Sequence, residues 1–165
     1  MNDFVIAIVN WTDKQAELYS IRRAVFIEEQ NVPESIELDG RDPDFIHVLA
    51  SDKNGRPVGT ARMDHKGKIG RMAVLHDYRR RGIGRKMIQA LMDYGRKNAI
   101  TDFHLSAQIT AIGFYKKMGF EPYGEEFIEA EIMHINMKLK NPPKESTSRR
   151  EHQKAVDFLT AKKRH

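Results

Sequence analysis

The amino-acid sequence predicts an α/β (α+β) fold, in which a β-sheet of six to seven strands is flanked by helices. Runs rich in β-branched and aromatic residues alternate with segments of helical periodicity, in the order β-α-βββ-α-β-α-ββ. A chain of 165 residues is long enough for one hydrophobic core and short for two. We therefore expect one domain over residues 1–140 and a basic linker or tail over residues 141–165, with helical spacing near its end.

The N-terminal part of the chain predicts a strand followed by a helix. Phe4–Trp11 is rich in β-branched and aromatic residues. Thr12, with Gln15 three residues later, has the spacing of a capping box, so we expect Thr12 to be the N-cap. The helical spacing of apolar residues continues to about Glu29. An acidic and irregular segment then extends from Pro33 to Pro43.

The rest of the domain predicts a three-stranded meander, then alternating helices and strands. Asn54-Gly55 lies between two strand-like runs and is a strong hairpin signal. The elements that follow are a strand, a helix, a strand, a short helix and two strands, predicted at Lys68–Leu75, 83–98, Phe103–Gln108, Thr110–Gly119 and within Phe120–Leu139.

The distribution of charge argues against a nucleic-acid-binding protein. The net charge is +5, but residues 141–165 hold seven Lys/Arg against three Asp/Glu. Residues 1–140 therefore have a net charge of only +1, and a global basic field is not evident.

The composition also bears on compartment and metal binding. The chain has no cysteine, which excludes disulfides and thiolate ligands and suits a reducing compartment. No apolar run is long enough to span a membrane, and the N-terminus does not read as a signal peptide. We expect a cytoplasmic protein that does not bind membranes. We expect no metal site, because no metal-ligand spacing is found among His47, His65, His76, His104, His152 and His165.

The segment "YRRRGIGRKM" places a glycine-rich loop between a strand and a helix, which is a common anion site. Gly84 is followed by Arg-Lys-Met, which excludes the P-loop pattern, and position 87 is methionine where a dinucleotide fingerprint needs glycine. The pattern that fits is [QR]-x-x-G-x-[GA], filled by Arg79, Gly82 and Gly84. Such a loop closes over a pyrophosphate at the start of a helix.

Two motifs in the expected order, "IGRMAVLHDYRRRGIGRKMI" and "AIGFYKKMGF", resemble the GNAT superfamily of acyl-CoA-dependent N-acetyltransferases. The resemblance covers about Phe4 to Leu139, and the segment after the first strand is similar to the ElaA-like branch. It implies a central mixed, mostly antiparallel sheet that splays between the fourth and fifth strands. It also implies that acetyl-CoA is the cosubstrate and that a primary amine, on a small molecule or a peptide, is the acceptor.

The resemblance further implies which residues bind acetyl-CoA. The strand before the loop pairs with the pantetheine arm, the loop and the first helical turn hold the pyrophosphate, and the fifth strand contributes an amide near the thioester. The residues at these positions are Met72, Ala73, Val74, Arg79, Arg80, Arg81, Gly82, Ile83, Gly84, Arg85 and Gln108.

Tyr115 matches the family's general-acid position, from which a tyrosine hydroxyl protonates the leaving thiolate. The general base is less defined, and the candidates are His134 and Glu28, or a chain of water molecules. The acidic side chains near the expected acceptor entrance are suited to attracting a cationic amine: Glu28, Glu29, Asp39 and Asp42.

Two alternatives remain open at the level of the sequence. The protein could bind acyl-CoA without catalysis, as a sensor or scaffold, or Arg79–Arg81 and the tail could contact nucleic acid. A homodimer is also compatible with the sequence.

Overall fold

The computed structural model describes residues 3–140, which form a seven-stranded sheet with the strand order β1-β2-β3-β4-β5-β7-β6. Neighbouring strands are antiparallel except for the parallel pair β4–β5, so the sheet is mixed and mostly antiparallel, as predicted. The strands are β1 Phe4–Val9, β2 Ile46–Asp52, β3 Pro57–Met63, β4 Lys68–Val74, β5 His104–Gln108, β6 Phe120–Glu129 and β7 Ile132–Leu139.

Within residues 3–140, four α-helices accompany the sheet: α1 Trp11–Arg22, α2 Glu34–Glu37, α3 Ile83–Lys97 and α4 Ile112–Lys117. The predicted cap of α1 was wrong by two residues. Asn10 is the N-cap, and its side chain accepts a hydrogen bond from the Asp13 N–H at 2.8 Å. Asn10 takes this role because the chain turns directly after β1, so Trp11 already belongs to the helix.

Helical structure continues to Glu29, as predicted, but its hydrogen bonding changes on the way. Arg23–Glu29 forms a π-helical segment, in which each N–H reaches one residue further back than in an α-helix. At its end, the N–H of Gln30 donates to the Val25 carbonyl at 3.0 Å. π-helical turns are rare and are often found at functional sites.

The two faces of the sheet are covered by different helices. The buried stripe of α3, which includes Met87, Ile88 and Leu91, packs with Val48 and other residues on one face. Helix α1 packs on residues such as Leu49, which alternates with Val48 along β2 and therefore points to the opposite face. This double cover explains why consecutive residues of β2 and β3 are buried, whichever face of the sheet they point to.

The sheet opens between β4 and β5, as the family resemblance implied. The parallel ladder pairs only Lys68 with His104 and Ile69 with Leu105. Beyond Ile69 the two strands diverge, so the second half of β4 borders an opening on its β5 side. A helix or strand that ends at such an opening can place side chains against a ligand.

The predicted tail at 141–165 lies outside the described residues. Within residues 3–140, no helix combines the length and the apolar character that crossing a membrane requires.

Candidate active site

The loop between β4 and α3 is shaped by two residues with left-handed backbone conformations. Arg80 has φ 66° and Gly82 has φ 82°, and Gly82 is the N-cap of α3. The first N–H groups of a helix have no partner within it, so the start of α3 presents donors and the positive end of the helix dipole. Gly82 has open space where a Cβ would lie, so its requirement for glycine comes from φ alone.

Gly84 has a different reason to lack a side chain. A Cβ at this position would lie 3.3 Å from the Phe114 ring and 3.5 Å from the sulfur of Met72. The first turn of α3 therefore approaches both β4 and α4 closely. This contact brings the predicted pyrophosphate loop next to the opening of the sheet.

The guanidinium of Arg79 ties the loop to two other parts of the protein. Its Nε donates to the Val74 carbonyl at 2.8 Å, and its two terminal nitrogens donate to the Glu29 carboxylate at 2.8 and 2.6 Å. This hydrogen bonding lowers the pKa of Glu29. Arg79 thus connects the end of β4 with the end of the π-helical segment. The other predicted loop arginines, Arg80, Arg81 and Arg85, are exposed.

A cavity of about 410 Å³ lies at the opening between β4 and β5. It brings together four of the predicted residues, which come from β4, β5, α4 and β7: Met72, Gln108, Tyr115 and His134. Glu28 does not line this cavity, and its carboxylate instead pairs with Arg23 at 3.1 Å on the exposed surface.

Tyr115 is buried, and its hydroxyl points at the opening. Among the described residues, the hydroxyl makes one hydrogen bond, a weak one to the Met72 sulfur at 3.9 Å. Burial raises the pKa of Tyr115 well above its ordinary value, so the phenol keeps its proton at neutral pH. A buried hydroxyl with only a thioether as acceptor still has capacity to hydrogen-bond a ligand.

Comparison with known proteins agrees with this architecture. The family model described as an acetyltransferase (GNAT) domain matches residues 12–141. The chain belongs to the GNAT acetyltransferase family. A Bacillus subtilis protein named only provisionally as an acetyltransferase is 41% identical to this GNAT protein over 125 residues, covering 72% of this chain and 84% of the relative.

Solved GNAT structures superpose on the described fold. Escherichia coli ElaA has a TM-score of 0.72 and 27% identity, covering 83% of this chain and 99% of its own. An acyl-CoA N-acyltransferase from Pseudomonas aeruginosa has a TM-score of 0.73 and 25% identity, covering 83% and 99%. These matches bear out the assignment to the GNAT family and its ElaA-like branch.

In this GNAT protein, His134 and Gln108 lie opposite each other on paired strands, β7 and β5. The Nδ1 of His134 is 2.7 Å from the Ile132 carbonyl, which can only accept, so Nδ1 carries the proton and Nε2 keeps a lone pair. The side chain of Gln108 donates to the Gln30 side chain at 2.9 Å. Gln30 thereby joins the cavity from the end of the π-helical segment.

The acidic residues expected to attract the amine are already paired with arginines. Asp39 and Asp42 belong to a cluster at the cavity wall, the arginine–carboxylate cluster, which consists of Arg22, Arg62, Arg71, Glu37, Asp39 and Asp42. Glu29 is paired with Arg79. Each of these carboxylates already pairs with a guanidinium, and their attraction of an incoming amine stays a prediction.

Sequence reasoning missed many of the cavity residues, among them Phe26, Gln30 and Arg71. The first two reach the cavity through the π-helical segment, and Arg71 reaches it from a bulge in β4. The bulge could have been suspected from the break in strand alternation at "GRM", but the partners of Arg71 lie more than 30 residues away. No cluster of His, Asp and Glu within residues 3–140 is arranged to hold a metal ion.

Proposed function

We propose that this GNAT protein transfers the acetyl group of acetyl-CoA to a primary amine by direct attack. The observation that carries the proposal is the buried Tyr115 hydroxyl, which faces the opening between β4 and β5 with only the Met72 sulfur as a described partner. Membership of the acetyltransferase family supports the reaction class.

The residues present suit three parts of an acyl-CoA molecule: the pantetheine arm, the thioester and the pyrophosphate. The N–H of Leu75 donates to Val58 on β3, so by the alternation of strands the N–H of Val74 points to the opposite edge, toward the opening. That donor suits the pantetheine arm or the thioester oxygen. Gly82 and the start of α3 suit the pyrophosphate. We propose Ala73, Ile83 and the exposed loop arginines as the remaining contacts.

The reaction forms one bond and breaks one bond. One proton leaves the amine and another is added to the sulfur. The amine nitrogen forms a bond to the thioester carbonyl carbon, and the bond from that carbon to sulfur breaks. Tyr115 donates its proton to the departing sulfur and is reprotonated from solvent. The amine loses one proton, so the products are an N-acetyl amide and the free thiol.

We propose that His134, rather than Glu28, accepts the proton that the amine loses. His134 lines the cavity and holds an unprotonated Nε2, whereas Glu28 lies on the exposed surface in an ion pair with Arg23. The Nε2 of a neutral imidazole can accept this proton directly or through water.

A panel of primary amines incubated with acetyl-CoA tests the proposal. Free-thiol release should depend on both the amine and the protein, and mass spectrometry should find the amine heavier by one acetyl group. Acetyl-CoA binding without transfer to any amine would instead support a non-catalytic acyl-CoA sensor. DNA binding with a steep salt dependence would support the nucleic-acid alternative.

A further inference from the structure

Arg71 occupies an irregular position on the strand that borders the opening. Between the pairs Thr60↔Ala73 and Arg62↔Gly70, β4 contains one more residue than β3, so β4 bulges at Arg71 and Met72. Arg71 has φ 49°, a left-handed conformation that is unusual for a residue with a side chain. Bulges beside active sites often redirect a side chain, and Arg71 lines the cavity.

The arginines of the arginine–carboxylate cluster differ in how well their N–H groups are hydrogen-bonded. Arg62 has short contacts, at 2.5 Å to Asp39 and 2.7 Å to Asp42. Arg71 has longer ones: its Nη2 lies 3.2 Å from each of two backbone carbonyls and 3.5 Å from Asp39. Its Nε is 3.2 Å from the Glu37 carboxylate, yet this buried N–H makes no hydrogen bond. The other terminal nitrogen of Arg71, Nη1, donates to no residue between 3 and 140 and is not buried, so Arg71 has donor capacity left over on the cavity side.

The electrostatic surroundings of Arg71 agree with this geometry. Burial lowers the pKa of Arg71, and although Glu37 opposes this effect, the neighbouring Arg62 and Arg22 add to it. The guanidinium stays charged at neutral pH because its ordinary pKa is so high. An additional anion in the cavity would stabilise the charged form of Arg71, which burial and the neighbouring guanidiniums disfavour.

The rim of the cavity carries further charges of both signs. The side chains of Arg41 and Lys68 line it, and neither forms an ion pair with any residue between 3 and 140. Glu129 lines it as well, also without an ion pair in that range, whereas the Asp64 carboxylate accepts hydrogen bonds from the N–H groups of Lys66 and Lys68. A cavity with free charges of both signs matches a ligand that itself carries both an amine and an anion.

We infer that Arg71 binds an anionic group of the acceptor, so that the preferred acceptors are primary amines that also carry a carboxylate or a phosphate. The planar guanidinium can hold either group through two parallel hydrogen bonds. This inference rests on the proposed acetyl transfer and names the acceptor class. It replaces the expectation that carboxylates recruit a purely cationic amine.

Four amines of similar length test the inference: 4-aminobutyrate, 3-aminopropyl phosphate, 4-amino-1-butanol and 1,4-diaminobutane. We expect kcat/KM for one or both anionic amines to exceed that for the alcohol by about tenfold or more, because a charge-assisted hydrogen bond is gained. The ratio between the first two amines identifies the preferred anion. Equal kcat/KM for all four, or a preference for the diamine, would overturn the inference while leaving acetyl transfer intact.

Variants of Arg71 test whether this residue causes the preference for anionic acceptors. Arg71→Gln should bring the ratio of anionic to neutral acceptors close to one, and Arg71→Lys should restore part of it because the charge returns without the fork. Arg96→Gln is the matched control, because Arg96 is an exposed arginine of α3 outside the cavity. An Arg71→Gln protein that keeps the full ratio would overturn the inference.

The wild-type protein provides a test that does not depend on the folding of a variant. Butyrate and propyl phosphate keep the anion and lack the amine, so at least one of them should inhibit competitively against the acceptor and not against acetyl-CoA. If acetyl-CoA binds but no amine is acetylated, the proposed function fails. Calorimetric binding of 4-aminobutyrate or 3-aminopropyl phosphate then decides the inference: binding lost in Arg71→Gln supports the anion site, and no binding to the wild type contradicts it.

Discussion

Tyr115 concentrates the proposed chemistry in one hydroxyl group. Tyr115→Phe removes the proton donor while keeping the ring, which packs edge-on against Phe114 and Phe120. We expect kcat to fall about a hundredfold, in line with the loss of a general acid, with acetyl-CoA affinity nearly unchanged. Free-thiol release measures the first quantity and isothermal calorimetry the second. An unaltered kcat would remove Tyr115 from the mechanism.

Gly82 and Arg80 make different contributions to the pyrophosphate loop. Gly82→Val forces a β-branched residue into a left-handed conformation, at a cost of about 1–2 kcal/mol, so the loop should lose its shape. Arg80→Gln removes only one exposed charge. We expect the Kd for acetyl-CoA to rise much more in the first variant than in the second.

Gly124 supplies the control for that comparison. It also has positive φ and no atom within 4 Å of its would-be Cβ, but it lies on β6 outside the cavity. Gly124→Val should cost similar stability without weakening acetyl-CoA binding. If Arg80→Gln weakens binding more than Gly82→Val, the loop's charge matters more than its backbone.

At the scale of elements, the end of the π-helical segment holds both sides of the opening. Glu29 binds Arg79 beyond β4, and Gln30 binds Gln108 on β5. The effects of Gln30→Ala and Gln108→Ala on kcat/KM for the acceptor should therefore be non-additive in the double variant, with a coupling energy of about 1 kcal/mol. A Gln89→Ala change on the exposed face of α3 should add simply to Gln108→Ala. Additivity in the first pair would show that their hydrogen bond does not position Gln108.

Element boundaries were predictable where the signal is local. The Asn54-Gly55 turn, the apolar stripe of α3 and the glycine-rich loop are all encoded in neighbouring residues, and the structure has them as predicted. The π-helical segment was not predictable, because its wider hydrogen bonding leaves no simple spacing in the sequence. Its consequence, the arrival of Gln30 in the cavity, was missed with it.

At the scale of the whole molecule, the arginine–carboxylate cluster links the acidic segment to α1, β3 and β4. Burial alone would raise the pKa of Asp39, but the hydrogen bond from Arg62, with further help from Arg41 and Arg71, holds that pKa well below its ordinary value. A carboxyl group with a lowered pKa stabilises the fold above its unfolded pKa of ~3.9, and this stabilisation is lost as the pH falls further.

Asp39→Asn should accordingly lower the free energy of unfolding by about 2 kcal/mol at pH 7. The difference from the wild type should shrink as the pH falls below about 4, where the Asp39 carboxylate of the unfolded chain begins to take up protons while that of the folded protein stays ionised. Urea unfolding at pH 7, 5 and 3.5 measures it. Asp93→Asn, which removes an exposed surface pair, should have a small effect at every pH. A difference for Asp39→Asn that does not change with pH would contradict the electrostatic explanation.

The sequence predicted the motif residues of the candidate site but not its long-range ion pairs. A motif indicated Tyr115, His134 and Gln108, and the structure places all three around one cavity, although their roles stay predictions. The pairing of the acidic segment with arginines was not predicted, because those arginines are distant in the chain. Arg22 lies 15 residues from Glu37 and 20 from Asp42, and no local pattern reveals such pairing.

The π-helical segment has a consequence for the insertions and deletions that the chain tolerates. Removing one residue between Arg23 and Glu29 would allow ordinary α-helical bonding and would leave the direction of the following residues nearly unchanged, whereas removing one residue from α1 would rotate them by about 100° around the helix axis. Glu29 and Gln30 would then turn away from Arg79 and Gln108 together. The extra residue of the π-helical segment can therefore be lost, whereas the length of α1 is fixed by what lies on either side of the opening.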